Sequence, residues 1–498
     1  MLKSFSLKRF SPFLTDILIT SFTAAVVAVC NILLIKIIAK GLGPEEFGIY
    51  ALVRRFEATV IPFSSLSIGI GLARYVAFYE GKGQKIESIL PSAIIVSSIS
   101  SLLFCLALLP FSGFLSKLFF NQEGRTVAFY LIFFLLVGHN LYNCLYAYYR
   151  GRKKMFSACI WDALLAIMTV LMAILFINMN NVNYLIFGIG VLSYLSLLSL
   201  LPKIYHGIRS TSWIEFKTMT KKLLIYSLPR APGGMALMLI FSFGLLVSPY
   251  VGGIANAAYM SISISIFQIL QVTTNSFGLV VLPKVANFVG SGNEQYLINK
   301  LRSIYDLILQ VGLFIVIQLF LTIDFIVFIW VGQEYSAAVP ITRIMLLSMM
   351  PFFFYTMMRN IVDAVEKRAI NTFNLYLSLC LTAISSLILM KLGLGLSALA
   401  IGFDIGLISL GILTYFYMRR RYHIRFLNDN FRQVLLINIL MGLFVFFVKY
   451  KIMENQYSYQ NFAIIVLLQL LCGIVYYVVL KKSGSTWVRE IEERITIK

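Results

Sequence analysis

The chain has 498 residues, 59% of them hydrophobic and only 13% charged, with a mean hydropathy of +0.86. Soluble domains carry about 25% charged residues, so the composition excludes a soluble globular protein and describes one of the bilayer. The net charge of +21 raises nucleic acid as a partner, and its placement along the chain decides against it below.

A membrane span needs about 20 apolar residues. That ruler predicts about fourteen: near 15–39, 47–73, 89–109, 127–148, 157–177, 183–202, 223–247, 254–282, 303–330, 338–358, 371–390, 394–418, 433–448 and 461–480. The first is too long for the apolar core of a cleavable signal peptide and reads as a retained helix. Span 2 holds Arg54, Arg55 and Glu57. Span 4 contains the polar pair His139-Asn140, which either lines a lumen or bonds a neighbouring helix. Its end carries Tyr142, Tyr146, Tyr148 and Tyr149, the residue type of membrane interfaces. The basic stretch 203–222 is expected to form the long connecting loop. Span 7 opens Leu228-Pro229-Arg230-Ala231-Pro232-Gly233-Gly234, where two prolines and two glycines beside a charge interrupt the helical ladder. This is either a kink absorbed by packing or a hinge at a substrate cavity.

Of the 42 Lys and Arg, 31 fall at the two termini and on alternate loops that share one side of the membrane. Seven lie on the other side, and Lys36, Arg54, Arg55 and Arg230 lie within spans. Short basic loops stay cytoplasmic, so both termini are expected inside, and the charge sets orientation with no nucleic acid implied. The cysteines at 30, 105, 144, 159, 380 and 472 all fall in spans without disulfide or metal-ligand spacing. His139, His206 and His423 are far apart, so no metal site is visible. No phosphate-cradling glycine loop with lysine occurs, which argues against ATP as the energy source.

The first half recurs in the second at an offset of 209 residues. Gly43, Tyr50, Ser67, Gly69, Val76, Ala77, Gly81 and Gly83 meet Gly252, Tyr259, Ser276, Gly278, Val285, Ala286, Gly290 and Gly292. Lys153 and Lys154 likewise meet Lys367 and Arg368 at a similar offset. A repeat of about six spans, an even number, gives halves related by an axis along the membrane normal, an arrangement of transporters. The expected fold is an all-α polytopic membrane protein of about fourteen helices. Its parts would be a six-helix bundle at 1–202, a linker at 203–222, a second six-helix bundle at 223–425, and two appended helices with a tail at 426–498.

Three blocks resemble the signature segments of a known family. They are Gly41-Leu-Gly-Pro-Glu-Glu-Phe-Gly-Ile-Tyr50, Gly69-Ile-Gly-Leu-Ala-Arg-Tyr-Val-Ala77 and Tyr149-Arg-Gly-Arg-Lys-Lys154, joined in the second half by Val281-Leu-Pro-Lys-Val-Ala286. They are similar to polysaccharide exporters, the family of O-antigen-type oligosaccharide flippases, within the superfamily that also holds multidrug antiporters and lipid II flippases. The resemblance implies alternating access between two bundles. The cargo it implies is an undecaprenyl-diphosphate-linked oligosaccharide carried across the bacterial inner membrane. It implies membrane lipids and polysaccharide polymerase or chain-length proteins as partners, and a monomer. No cofactor is expected beyond a coupling ion, H+ or Na+, and no catalysis: the outer loops are too short to hold acid–base groups. A lipid II flippase or a drug or cation antiporter is the alternative transport reading, and a membrane polymerase or ligase the enzymatic one.

An ionisable group at bilayer depth costs roughly 2.5–3.5 kcal/mol on insertion scales, so each asks for a reason. Arg54 and Glu57, three apart, share a helix face. Their repeat counterparts Ser263 and Ile266 are uncharged, as is Ile264 opposite Arg55. Arginine's planar fork suits a diphosphate, which makes Arg54, Arg55 and Arg230 the candidate substrate contacts. Of the membrane carboxylates Asp16, Glu57, Asp162, Asp306, Asp324 and Asp404, the deepest are Glu57 and Asp404, the candidates for ion coupling. Pro229, Pro232 and Gly233 form the candidate hinge.

Overall fold

A computed structural model describes residues 12–83, 87–121, 125–179, 181–271, 306, 308–365, 370–422, 431–453 and 457–482. Several sequence expectations lie outside them: the repeat partners from Ser276 to Gly292, the Val281–Ala286 block, Lys367, Arg368 and His423. The side chains of Asp16 and Arg230 also fall outside the description.

The described residues are helical and contain no strand. Eleven helices are long and apolar enough to cross a membrane, or twelve when a bent pair is taken as one span. The first, α1 (Pro12–Ser64), cannot be a single crossing. Its 46 residues from Ile19 to Ser64 would run about 70 Å as a straight helix, over twice the hydrocarbon core. It breaks at Gly43, with φ 77° and ψ 178°, followed by Pro44. That backbone is open essentially to glycine alone, and proline cannot restore the lost hydrogen bond.

The chain divides into two compact units, Met1–Ser261 and Ile262–Lys498. In the first, α2 (Ile68–Gly81) continues the second span after a break at residues 65–67. Next come α3 (Ile89–Leu108), α4 (Ser112–Phe120), α5 (Thr126–Gly151), α6 (Met155–Phe176) and α7 (Val182–Ser196). Helix α5 is the axis of this unit, packed on α1, α2, α3, α6 and α7. The continuous second span expected at 47–73 is therefore corrected to a broken one. Pro62 removes a donor, and Leu66 and Ser67 take left-handed φ of 51° and 53°.

The stretch 203–222, expected as a loop, is also helical. It is covered by α8 (Leu201–Ser210) and α9 (Trp213–Ser227). Ser212 accepts from the Glu215 N–H at 3.3 Å while the Glu215 carboxylate accepts from the Ser212 N–H at 3.0 Å, a reciprocal cap that starts α9. A 3-10 turn at Leu228–Arg230 then leads into α10 (Ala231–Val247), which packs on α1, with Thr59 Oγ1 2.7 Å from Ser242 Oγ. After the short α11 (Pro249–Gly252), Gly253 has φ 97° and ψ 173°. This is the conformation of Gly43, one position from the repeat offset.

Helix α12 (255–271) runs to the last residue described before 306. In the second unit follow α13 (Leu313–Trp330), α14 (Ala338–Leu346), α15 (Met349–Val365), α16 (Ile370–Lys391), α17 (Leu396–Tyr422), α18 (Phe431–Met453) and α19 (Tyr459–Lys482). Helices α14 and α15 are bent by 52° across Leu347-Ser348. The last two helices are fastened to this unit by polar contacts. Tyr476 Oη donates to the Gln310 carbonyl at 3.0 Å, and Gln469 Nε2 donates to the Gln318 carbonyl at 3.0 Å. Among apolar helices in lipid, such hydrogen bonds and close packing take over from the hydrophobic effect as the glue.

Candidate functional site

Arg54, Arg55 and Glu57 sit on α1 between its break at Gly43 and its end at Ser64. Glu57 is 1% exposed, and its two oxygens meet two different bases. Arg54 Nη1 donates to Oε2 at 2.5 Å, and Arg54 is in addition hydrogen-bonded to the buried Tyr50. On the other side, His139 Nδ1 of α5 lies 2.8 Å from Oε1, at ion-pair distance though poorly aligned as a hydrogen bond. Arg54 keeps about a third of its side chain open, so the pair is not sealed inside the unit.

The helix break beside this cluster is held by hydroxyls and one amide. Asn140 Nδ2 donates to Ser64 Oγ at 2.9 Å and to Ser101 Oγ at 2.7 Å; Ser65 Oγ donates to the Ile61 carbonyl at 2.7 Å. Irregular backbone at membrane depth needs such partners, because lipid offers none. The His139-Asn140 pair thus bonds neighbouring helices. One turn further along α5, Tyr142 Oη donates to Asp162 Oδ1 of α6 at 2.9 Å.

Asp404 lies in the other unit, on α17, 5% exposed. Its carboxylate faces Ser348, the residue at the 52° bend where α15 begins, whose hydroxyl donates to the Met345 carbonyl at 2.9 Å. Oδ1 has no hydrogen-bond partner, and among the described residues no basic side chain pairs with it. Asp324 has a different setting: Lys449 Nζ contacts both its oxygens at 2.7 and 2.6 Å, and Arg343 Nη2 stands 3.3 Å away. Its charge is spent joining α18 to α13. Pro229 and Arg230 form the 3-10 turn, with Pro232 and Gly233 in the first turn of α10.

A separate cavity of about 390 Å³ opens at the end of this unit that bears the basic loops. Glu80 and Arg152 line it, 3.5 Å apart, and Lys203 stands 5.3 Å over the Tyr148 ring. Glu80 and Arg152 thus pair with each other, while Lys203 rests on aromatic faces. The sequence reading took His139 with Asn140 as a lumen-lining or helix-bonding pair but did not join it to Glu57, although an ionisable residue midway along an apolar helix is the signal that singled out Glu57.

The fold is that of known transporters. A lipid II flippase, MurJ, in an inward closed conformation superposes with a TM-score of 0.72 at 14% identity, covering 94% of this chain and 99% of that one. An inward-facing multidrug resistance transporter of the MATE family, in the MOP superfamily, gives 0.64 at 16% identity over 81% and 98%. A MATE structure in complex with MaD3S gives 0.59 at 17% identity over 83% and 97%. No curated protein matches the sequence. The family model described as polysaccharide biosynthesis protein matches residues 13–289, more than half the chain. The chain belongs to that polysaccharide biosynthesis protein family.

Proposed function

We propose that this protein is a flippase that carries an undecaprenyl-diphosphate-linked oligosaccharide across the bacterial inner membrane by ion-coupled alternating access. The observation that carries this reading is the arginine pair Arg54-Arg55, held at bilayer depth beside a broken helix in a chain of the polysaccharide biosynthesis family. Two adjacent arginines beside one buried carboxylate offer the planar, charged donors that suit a diphosphate. Both termini are cytoplasmic in this reading, because the basic loops share one side. Arg230, in the turn between α9 and α10, meets the head group first and Arg55 later. Pro229, Pro232 and Gly233 give that segment its hinge, while Glu57 and Asp404 stand as the coupling carboxylates.

Deleting the gene should leave lipid-linked repeat units on the cytoplasmic face and abolish surface polymer. Surface polymer persisting in a strain with no other flippase would overturn the reading. The fold likeness to a lipid II flippase favours one rival cargo. Rescue of a strain depleted of its lipid II flippase, without effect on surface polymer, would select it.

A further inference from the structure

The two contacts of Glu57 differ in kind. Arginine stays charged throughout, so the Arg54–Glu57 pair is neutral by itself and needs no third partner. His139 then sets a second base, 2.8 Å away, against a carboxylate that already has a cation. Imidazole is the side chain whose charge ordinarily changes between pH 5 and 8. The variable member of the cluster is the histidine, and the carboxylate is its fixed neighbour.

We propose that His139 carries the coupling proton of this transporter, and that Tyr142 and Asp162 connect it to the end bearing the basic loops. The proposal rests on the transport reading above and moves the proton from Glu57, where depth alone placed it, to the group that faces it. The titratable groups that face His139 are Glu57 of α1, Tyr142 of α5 and Asp162 of α6; Tyr50 and Arg54 of α1 stand beyond Glu57, and Tyr146 of α5 and Cys159 of α6 stand about Tyr142. Helix α3 adds the hydroxyls of Ser97 and Ser101, while α7 sets Ser193 and Tyr194 against Gly138. Helix α2 presents Gly69 to α5 at Asn143 and Ala147.

The order of these groups along the membrane gives the route. His139 is near the middle of α5, and the Tyr142 ring stands edge-on to it with centroids 6.0 Å apart. The Tyr142 hydroxyl already donates to Asp162, and Asp162 is half-buried, about 10 Å from the start of α6 beside the Arg150–Lys154 loop. A proton leaving the imidazolium leaves a neutral imidazole behind. Once a side-chain rotation brings the imidazole within hydrogen-bond reach of the Tyr142 hydroxyl, Tyr142 passes its own proton to the Asp162 carboxylate and is refilled from His139, so one proton moves and the hydroxyl is regenerated.

The test uses the full-length protein in liposomes with an imposed pH difference. The probe is the lipid-linked oligosaccharide fraction extracted from cells lacking the transporter. One readout is exposure of the sugar to impermeant periodate, and the other is internal pH from a trapped dye. In the wild type the two signals should move together. His139→Gln should lower the proton signal at least tenfold and make sugar movement indifferent to the pH difference, at wild-type thermal stability. Tyr142→Phe and Asp162→Asn should slow the proton signal several-fold. Wild-type coupling in His139→Gln would overturn the proposal. So would sugar movement driven by a sodium gradient with no proton signal in the wild type. If His139→Gln does not fold, an unaltered proton signal in Asp162→Asn would overturn it instead. Failure of the wild type to move any sugar defeats the transport reading itself, a different result from movement with unaltered coupling in the variant.

Discussion

Asp324 and Glu57 are both carboxylates inside membrane-spanning helices, yet their partners give them different work. Lys449, 6% exposed, lies between the Asp324 carboxylate and the Leu321 carbonyl. Removing it would leave the Asp324 carboxylate only the more exposed Arg343 as a partner, and breaking a buried pair typically costs up to about 3–5 kcal/mol. Lys449→Met should therefore lower the melting temperature sharply, and Asp324→Asn in the same chain should recover part of the loss; an unchanged melting temperature in the single variant would refute the lock. Arg55 sits about 100° around the helix from Arg54, so the two cannot face one narrow lumen equally. The prediction is that Arg55→Ala stops export without lowering protein abundance, with partial rescue by Arg55→Lys, which keeps charge without the fork. Wild-type export in a stable Arg55→Ala/Arg230→Ala double variant would show that these arginines serve structure alone. Outside the membrane, the Tyr79 hydroxyl 3.0 Å from Lys222 Nζ raises the pKa of that ammonium above its ordinary value. The folded value is the higher one, so the contact is whole below the ordinary lysine range of about 10.4 and is lost as pH climbs past it. At pH 9, Lys222 should acylate more slowly in the wild type than in Tyr79→Phe; equal rates would refute the effect. The Arg54–Glu57 pair was legible from a three-residue spacing, because a helix maps spacing onto direction. His139 was not, since nothing local in the sequence says which face of α5 meets α1.

At the scale of elements, the blocks that resemble polysaccharide exporters mark joints. The Gly41–Tyr50 block contains the break at Gly43. The Tyr149–Lys154 block ends α5 at Gly151, where an added Cβ would sit 2.7 Å from the Ala73 carbonyl oxygen of α2, and Lys153 turns the chain with φ 53°. Backbone cannot yield as a side-chain tip can. Gly151→Ala should therefore destabilise the first unit by about 1–3 kcal/mol, the usual range for overpacking, and unaltered thermal unfolding in detergent would contradict it. Hydropathy located most helices because lipid demands apolar runs, but it averages over a window and smooths away a three-residue break. The Pro62, Ser64, Ser65 and Ser67 cluster was visible, yet its meaning depends on Asn140 and Ser101 arriving from other helices. The helical linker was missed for the opposite reason. Its basic composition suggested a loop, although Ser212 and Glu215 already had the spacing of a reciprocal cap.

For the whole molecule, what repeats is scaffold and what does not repeat is charge. Gly43 and Gly253 share one backbone conformation in the two halves. The positions that follow them differ in use: Arg54, Arg55 and Glu57 in one half correspond to Ser263, Ile264 and Ile266 in the other, where Ser263 accepts from Thr342 at 2.9 Å and the isoleucines are buried. A repeat of an even number of spans keeps both halves in the same orientation, and the basic loops then fix which side that is. In the parallel-repeat reading the broken second span and the bent α14–α15 pair each cross once, so neither reverses the chain. Reporter fusions after residues 180 and 455 should read periplasmic, and those after 212 and 498 cytoplasmic. The decisive fusion is the one after residue 455. If the α14–α15 bend were a re-entrant loop, the parity of every later helix would change, and that fusion would read cytoplasmic while the one after 180 stayed periplasmic. That pattern would refute the parallel repeat while leaving the first unit, with its Arg54–Glu57–His139 cluster, as described.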